Sequence, residues 1–140
     1  MALGLSVKKM KKIIIPFIML ILVSFLYGEE KFIPSDNIDY AQVVGATAQK
    51  NYGDTWTISV TVKHNDQGWK HYADKWIVVN PLTKEILAER VLTHPHDTEQ
   101  PFTRSLSGIN IPSELTYVEI WAKCNLHGYK GKRFILELDR

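Results

Sequence analysis

One cysteine, Cys124, is present in 140 residues, so no disulfide can close within the chain. There is no Gly-rich phosphate loop and no Gly-x-Ser-x-Gly elbow, which removes two common signatures of nucleotide binding and serine hydrolysis. Internal repeats and low-complexity segments are missing as well. Beyond residue 28 no stretch carries the 3.6-residue apolar period of an amphipathic helix, which argues against a helical domain. A strong positive charge is lacking once the N-terminus is set aside. Four of the 17 Lys and Arg residues are Lys8, Lys9, Lys11 and Lys12, leaving 13 against 15 acidic residues in the remainder. Without a basic surface a nucleic-acid partner is not expected.

What is present begins with an export signal. The four lysines form a positive region, and Ile13 to Tyr27 follow without a charge. That length and those flanks fit a secretory signal peptide over residues 1–28 and are short for a membrane span. Gly28 suits the position before a cut, although Leu26 is bulky where a small residue is preferred. An uncleaved anchor is the alternative, and the membrane is then reached only through this leader. Met10 is an alternative start. No cysteine directly follows the apolar run, which leaves no site for lipid at a new N-terminal Cys. The expected location is exported, periplasmic or otherwise extracytoplasmic.

Residues 29–40 are polar and read as a linker. From residue 41 to 140 the pattern is that of one small domain. Thr55–Lys63 alternates, with Trp56, Ile58, Val60 and Val62 on one face and Thr57, Ser59, Thr61 and Lys63 on the other. Further strands are expected over 42–49, 74–79, 85–92, 102–106, 116–122 and 132–138. Seven short strands separated by turn signals predict an all-β, seven-stranded immunoglobulin-like sandwich.

All five histidines and the cysteine fall between strands. His64 and His71 bracket the second-to-third connection, His94 and His96 lie in the fourth-to-fifth, and Cys124 and His127 in the sixth-to-seventh. If successive strands run antiparallel, alternate connections emerge at one end of the sandwich. Imidazole and thiolate gathered on several loops of a rigid scaffold make a candidate metal site. Within Cys124-Asn-Leu-His-Gly128 the Cys and His, three apart on a tight loop, can reach one ion, and Gly128 lets the chain turn. Pro95 favours an extended segment that puts His94 and His96 on one side.

Cys-Asn-Leu-His-Gly at 124–128 resembles the Cys-Asn-x-His-Gly signature of superoxide reductases, the neelaredoxins and the catalytic domain of desulfoferrodoxin. His64 and His71-Tyr-Ala-Asp-Lys-Trp-Ile77 resemble that family's second-to-third strand stretch. The resemblance implies a mononuclear non-haem iron, with Cys124 axial and His64, His71 and His127 equatorial. It departs from the family in three places. The His64-to-His71 spacing is one residue longer, Asn65 stands where the family has Pro, and the Glu-Lys-His segment has no counterpart. His94 or His96 would have to supply the missing imidazole.

Two functional expectations follow. One is an iron enzyme that reduces superoxide, with Lys70 or Lys130 attracting the anion and a small redox substrate or electron donor as partner. The other is a non-catalytic domain binding copper or zinc, since thiolate and imidazole suit those ions too. A third possibility is an accessory sandwich in which Asp74, Arg90, Glu99 and Arg104 form a structural network around residues 94–106.

Overall fold

The structure, a computed structural model, describes residues 31–140; the leader expected over 1–28 lies outside the described residues. One compact unit runs from Ile33 to Arg140. Its strands are β1 (Gln42–Lys50), β2 (Trp56–Lys63), β3 (Ala73–Val79), β4 (Ile86–Val91), β5 (Phe102–Ile109), β6 (Tyr117–Cys124) and β7 (Phe134–Glu137). No helix occurs among the described residues. The seven strands match the sequence pattern to within a few residues at each end.

The strands form two antiparallel sheets, β1-β2-β5 and β4-β3-β6-β7. The alternating face of β2 explains the layering: Trp56, Ile58, Val60 and Val62 are all buried. They meet Trp76 and Val78 of β3, Val118, Ile120 and Ala122 of β6, Phe102 of β5 and Leu136 of β7 in a single core. The opposite face of the three-stranded sheet is polar. Hydroxyl pairs cross it at Thr61–Thr103 (2.8 Å), Ser59–Ser105 (2.6 Å) and Thr57–Ser107 (2.9 Å). Such cross-strand pairs stabilise a sheet by a few tenths of a kcal/mol to about 1 kcal/mol each.

β3 breaks the alternation, since Trp76, Ile77, Val78 and Val79 are all buried. It is an inner strand, and its second face is covered too. Ile77 pairs with Trp121 of β6, whose ring carries the Arg133 guanidinium 3.6 Å above it.

One end of the sandwich collects the connections that matter. β2–β3 and β4–β5 cross between sheets there, and the β6–β7 hairpin turns beside them. At that end β3 carries an extra residue, Asp74, between Ala73 (opposite Cys124) and Lys75 (opposite Lys123). Lys123 Nζ holds both oxygens of the Asp74 carboxylate at 2.9 Å. A bulge of this kind re-aims the chain at a strand end.

Candidate metal centre

The three histidine-bearing loops interlock. Asn125 donates its main-chain N–H to the Tyr72 carbonyl (3.1 Å) and accepts the Tyr72 N–H on Oδ1 (3.0 Å). Its side-chain amide donates to the Trp69 and Lys70 carbonyls. The Asn of Cys-Asn-Leu-His-Gly therefore clips the 124–128 turn to the 64–72 loop. Gly128, at φ +67°, takes the left-handed conformation that brings its N–H onto the Cys124 carbonyl (3.3 Å). The β4–β5 loop joins through His96 N–H to Asp66 Oδ2 (2.7 Å) and Gly68 N–H to Asp97 Oδ1 (3.0 Å). Gln100 ties it again, accepting the His64 N–H and donating to the His96 carbonyl.

This arrangement brings His64, His71 and Cys124 together, all buried, with one ligand atom from each within 4.8 Å of the others. Three points no farther apart than that share a centre at most about 2.8 Å from each, 4.8 Å divided by √3. Metal–imidazole and metal–thiolate bonds are roughly 2.0–2.3 Å long. The set therefore fits one transition-metal ion after closing by at most about 0.5–0.8 Å, within reach of small side-chain rotations.

The proton arithmetic of the two rings points the same way. His64 Nδ1 sits 2.5 Å from Asp66 Oδ1, so the ring proton of a neutral His64 belongs to that bond. Nε2 then turns a lone pair toward the Asp39 main-chain oxygen, 3.0 Å away. His71 lies between Gln67 Oε1 (3.3 Å) and the same Asp39 oxygen (3.1 Å), where either ring nitrogen can carry the proton. With the ring protons on the Nδ1 side, a cation between the two Nε2 atoms would meet both lone pairs.

Asp66 organises the second layer. Its buried carboxylate accepts from His64 Nδ1, Ala73 N–H (2.9 Å) and His96 N–H. Burial alone would raise its pKa, but these bonds outweigh burial and hold it below the ordinary aspartate value. A carboxylate behind a histidine fixes which ring nitrogen faces a metal.

The segment before β1 closes the end. Residues 33–40, read from the sequence as part of a linker, are stitched to the domain through Ser35 N–H to the Lys130 carbonyl (3.1 Å) and Asn65 N–H to the Ile38 carbonyl (2.8 Å). Close approach makes this possible at Gly131, where a Cβ would lie 1.9 Å from the Ala41 oxygen. Gly131→Ala is expected to push the segment off and cost about 1–3 kcal/mol, the range for overpacking. Urea unfolding midpoints of the two proteins check this.

The other residues singled out in the sequence lie elsewhere. His127 is beside the set rather than in it: its ring meets His71 edge-on at 5.1 Å and Tyr40 at 5.0 Å, and its main-chain N–H donates to Cys124 Sγ (3.2 Å). His94 and His96 do not join the converging donors. His96 stacks on Phe102 (3.9 Å) and accepts from Arg104 Nη2 (2.9 Å), so Nε2 is taken by a cation of the protein's own. His94 lies against it at 4.7 Å and is exposed. No imidazole from this loop replaces the one that the superoxide reductase pattern requires. Lys70 and Lys130 are exposed on the loops flanking the site. Of the expected network, Arg104 pairs with Glu99 (3.4 Å), whereas Asp74 pairs with Lys123 and Arg90 Nε donates to the Ser105 carbonyl.

Burial, then Arg104 and His94, push the His96 pKa below its ordinary value of 6.5. A histidine whose folded pKa is depressed gives up stability as pH falls below the unfolded value, because the unfolded chain takes the proton first. Metal-free protein should lose stability between pH 7.5 and 5.5, and His96→Gln should lose less. Urea midpoints across that range measure the difference.

Two residues of this site escaped the sequence reading. Asp66 follows His64 by two, a spacing that could have flagged it. The Asp39 contribution is a main-chain oxygen and has no side-chain signature.

No family model matches the chain, and no solved structure matches it. The likeness to superoxide reductases rests on its motif residues alone. A protein of Halomicrobium mukohataei with a provisional lipoprotein designation is 37% identical over 99 residues, covering 71% of this chain and 48% of that protein. The chain thus spans about half the length of the relative it matches.

Proposed function

We propose that this chain is an exported metal-binding domain that holds one transition-metal ion between His64, His71 and Cys124. The convergence of two buried imidazoles and a buried sulfur, with the His64 ring locked by Asp66, carries the reading. Export is supported by the basic-then-apolar leader and by the designation of the Halomicrobium relative. Two antiparallel sheets of three and four strands suit an immunoglobulin-like sandwich, a scaffold that presents such a site on its end loops. Burial also protects the lone thiol, which an exported protein would otherwise expose to oxidation.

Anaerobic titration of the metal-free full-length protein tests this. One equivalent of Fe(II), Cu(I) or Zn(II) should raise the melting temperature. At about 100 times the dissociation constant the gain is ~2.7 kcal/mol. A melting temperature unmoved by all three ions would refute the reading.

A second reading, a superoxide-reductase-like iron enzyme, is favoured by one observation: the His127 ring lies 5.1 Å from that of His71, close enough for a rotamer change to recruit it. Bound iron would supply the one-electron chemistry, and Lys70 and Lys130 on the rim would draw the superoxide anion inward. Oxidised iron-loaded protein should then show a thiolate-to-iron absorption band and consume superoxide. Iron-loaded protein with neither property excludes it.

A further inference from the structure

We infer that the main-chain carbonyl of Asp39 is a built fourth donor of this site, and that the completed set of two imidazoles, one thiolate and one carbonyl takes copper. The inference rests on the metal-binding reading above and adds the ion and the ligand.

The aim of the carbonyl is the first argument. The two N–H groups of Gln42 Nε2 are shared among the carbonyls of Ser35 (2.7 Å), Asn37 (3.0 Å) and Tyr40 (3.2 Å). The Ile38 carbonyl accepts from Asn65, and Asn37 accepts a second bond from the Tyr40 N–H. Asp39 breaks the series, its oxygen facing His64 Nε2 (3.0 Å), His71 Nε2 (3.1 Å) and Cys124 Sγ (3.7 Å). With its ring proton on Nδ1 toward Asp66, His64 Nε2 faces this oxygen without a hydrogen to donate, so the three buried groups converge on one point without all being paired.

The second argument is rigidity. Gln42 is itself buried, and its Oε1 accepts the Lys132 N–H (3.0 Å), which fixes the direction of the amide. The Asp39 N–H donates to Asn37 Oδ1 (3.0 Å), closing a tight turn around the residue. An oxygen held on both sides in this way is preorganised rather than incidental.

The third argument is donor chemistry. Two histidines and a cysteinate in a trigonal set, with a weak main-chain oxygen on the axis, is a donor pattern that suits copper. Zinc favours four full-strength ligands in a tetrahedron, and here the fourth is a neutral carbonyl. Six-coordinate iron would need imidazoles that His94 and His96 do not bring. Thiolate and imidazole accommodate both Cu(I) and Cu(II).

The test uses the purified full-length protein, freed of metal and offered a limiting amount of Cu(I), Zn(II) and Fe(II) together. Copper should be retained, and on oxidation an intense visible thiolate-to-copper band should appear. Gln42→Leu loosens the turn and leaves every ligand in place. It should shift that band and weaken Cu(II) binding roughly 10- to 100-fold, as loss of ligand-orienting bonds does. Should that variant not fold, wild-type protein carrying ¹³C at aspartate main-chain carbonyls gives an independent answer, since Cu(II) should couple to the Asp39 carbon. Retention of zinc or iron over copper overturns the assignment and leaves the metal-binding reading standing. Copper without ¹³C coupling, or with an unchanged spectrum in folded Gln42→Leu, overturns the carbonyl ligand. Failure to bind any of the three removes the metal-binding reading itself, and this inference with it.

Discussion

Asp66→Ala should destabilise the domain by about 3–5 kcal/mol, three stranded buried donors at about 1–3 kcal/mol each less what relaxation recovers. That is a large share of the roughly 5–15 kcal/mol that holds a typical domain together. The carboxylate is fully buried and accepts from three donors on three segments: His64 Nδ1, the Ala73 N–H at the start of β3 and the His96 N–H of the β4–β5 loop. Alanine removes the acceptor and leaves all three donors in place. Each stranded buried donor costs about 1–3 kcal/mol, and partial collapse or an entering water recovers some of it. Asp66→Asn keeps the volume and one acceptor oxygen, so its loss should be smaller. The acid limb of stability should change as well. The folded pKa of Asp66 lies below its unfolded value, so its contribution is present above the unfolded value and is lost as pH falls through the folded one. Urea unfolding of metal-free protein at pH 7 gives the size of the effect. An alanine variant within 1 kcal/mol of wild type would mean that the three loops are held by other contacts.

The contrast between β2 and Asp66 shows how far the sequence could be read. Trp56, Ile58, Val60 and Val62 declare their face by alternation, because a half-buried strand needs only two environments. β3 defeats that rule. Ile77 is buried although it does not alternate; its cross-strand partner is Trp121 of β6, whose ring is in turn covered by Arg133, and no local window contains either. The convergence of loops followed from strand parity alone, and Asp66, Asn125 and Gln100 now supply the bonds that realise it. The histidines were harder to sort. His64 and His96 look alike in sequence, each within two residues of an aspartate. Asp66 hydrogen-bonds the His64 ring but reaches His96 through its main-chain N–H, the His96 Nδ1 staying 4.0 Å away, and Arg104 then occupies His96 Nε2. Gln42 was illegible for a different reason: its partners are main-chain carbonyls of residues 35–40, whose path depends on the close approach at Gly131.

Cys124→Ser is expected to lower metal affinity by more than 100-fold, above the range seen when only ligand-orienting bonds are lost. The serine hydroxyl stays protonated at neutral pH and is a hard, weak donor where the thiolate is soft and charged. Its oxygen also reaches less far than sulfur from the same Cβ, which widens the gap to an ion held by the two imidazoles. The fold should tolerate the change. The His127 N–H that now points at Cys124 Sγ can donate to a hydroxyl, and burying that hydroxyl with a partner should cost the metal-free protein only about 1–2 kcal/mol. The two effects separate cleanly in a thermal-shift series. Metal-free wild type and variant should melt close together, and added metal should raise only the wild type. His71→Ala should behave like Cys124→Ser, since it removes a second converging donor. His127→Ala discriminates further: its ring touches His71 and Tyr40 without belonging to the set, so the metal-induced shift should largely survive. A Cys124→Ser protein that keeps the full metal-induced shift would place the bound ion away from this end of the sandwich. A His127→Ala protein that loses the shift would instead show that the ring swings in to ligate, which is the geometry the iron enzyme requires.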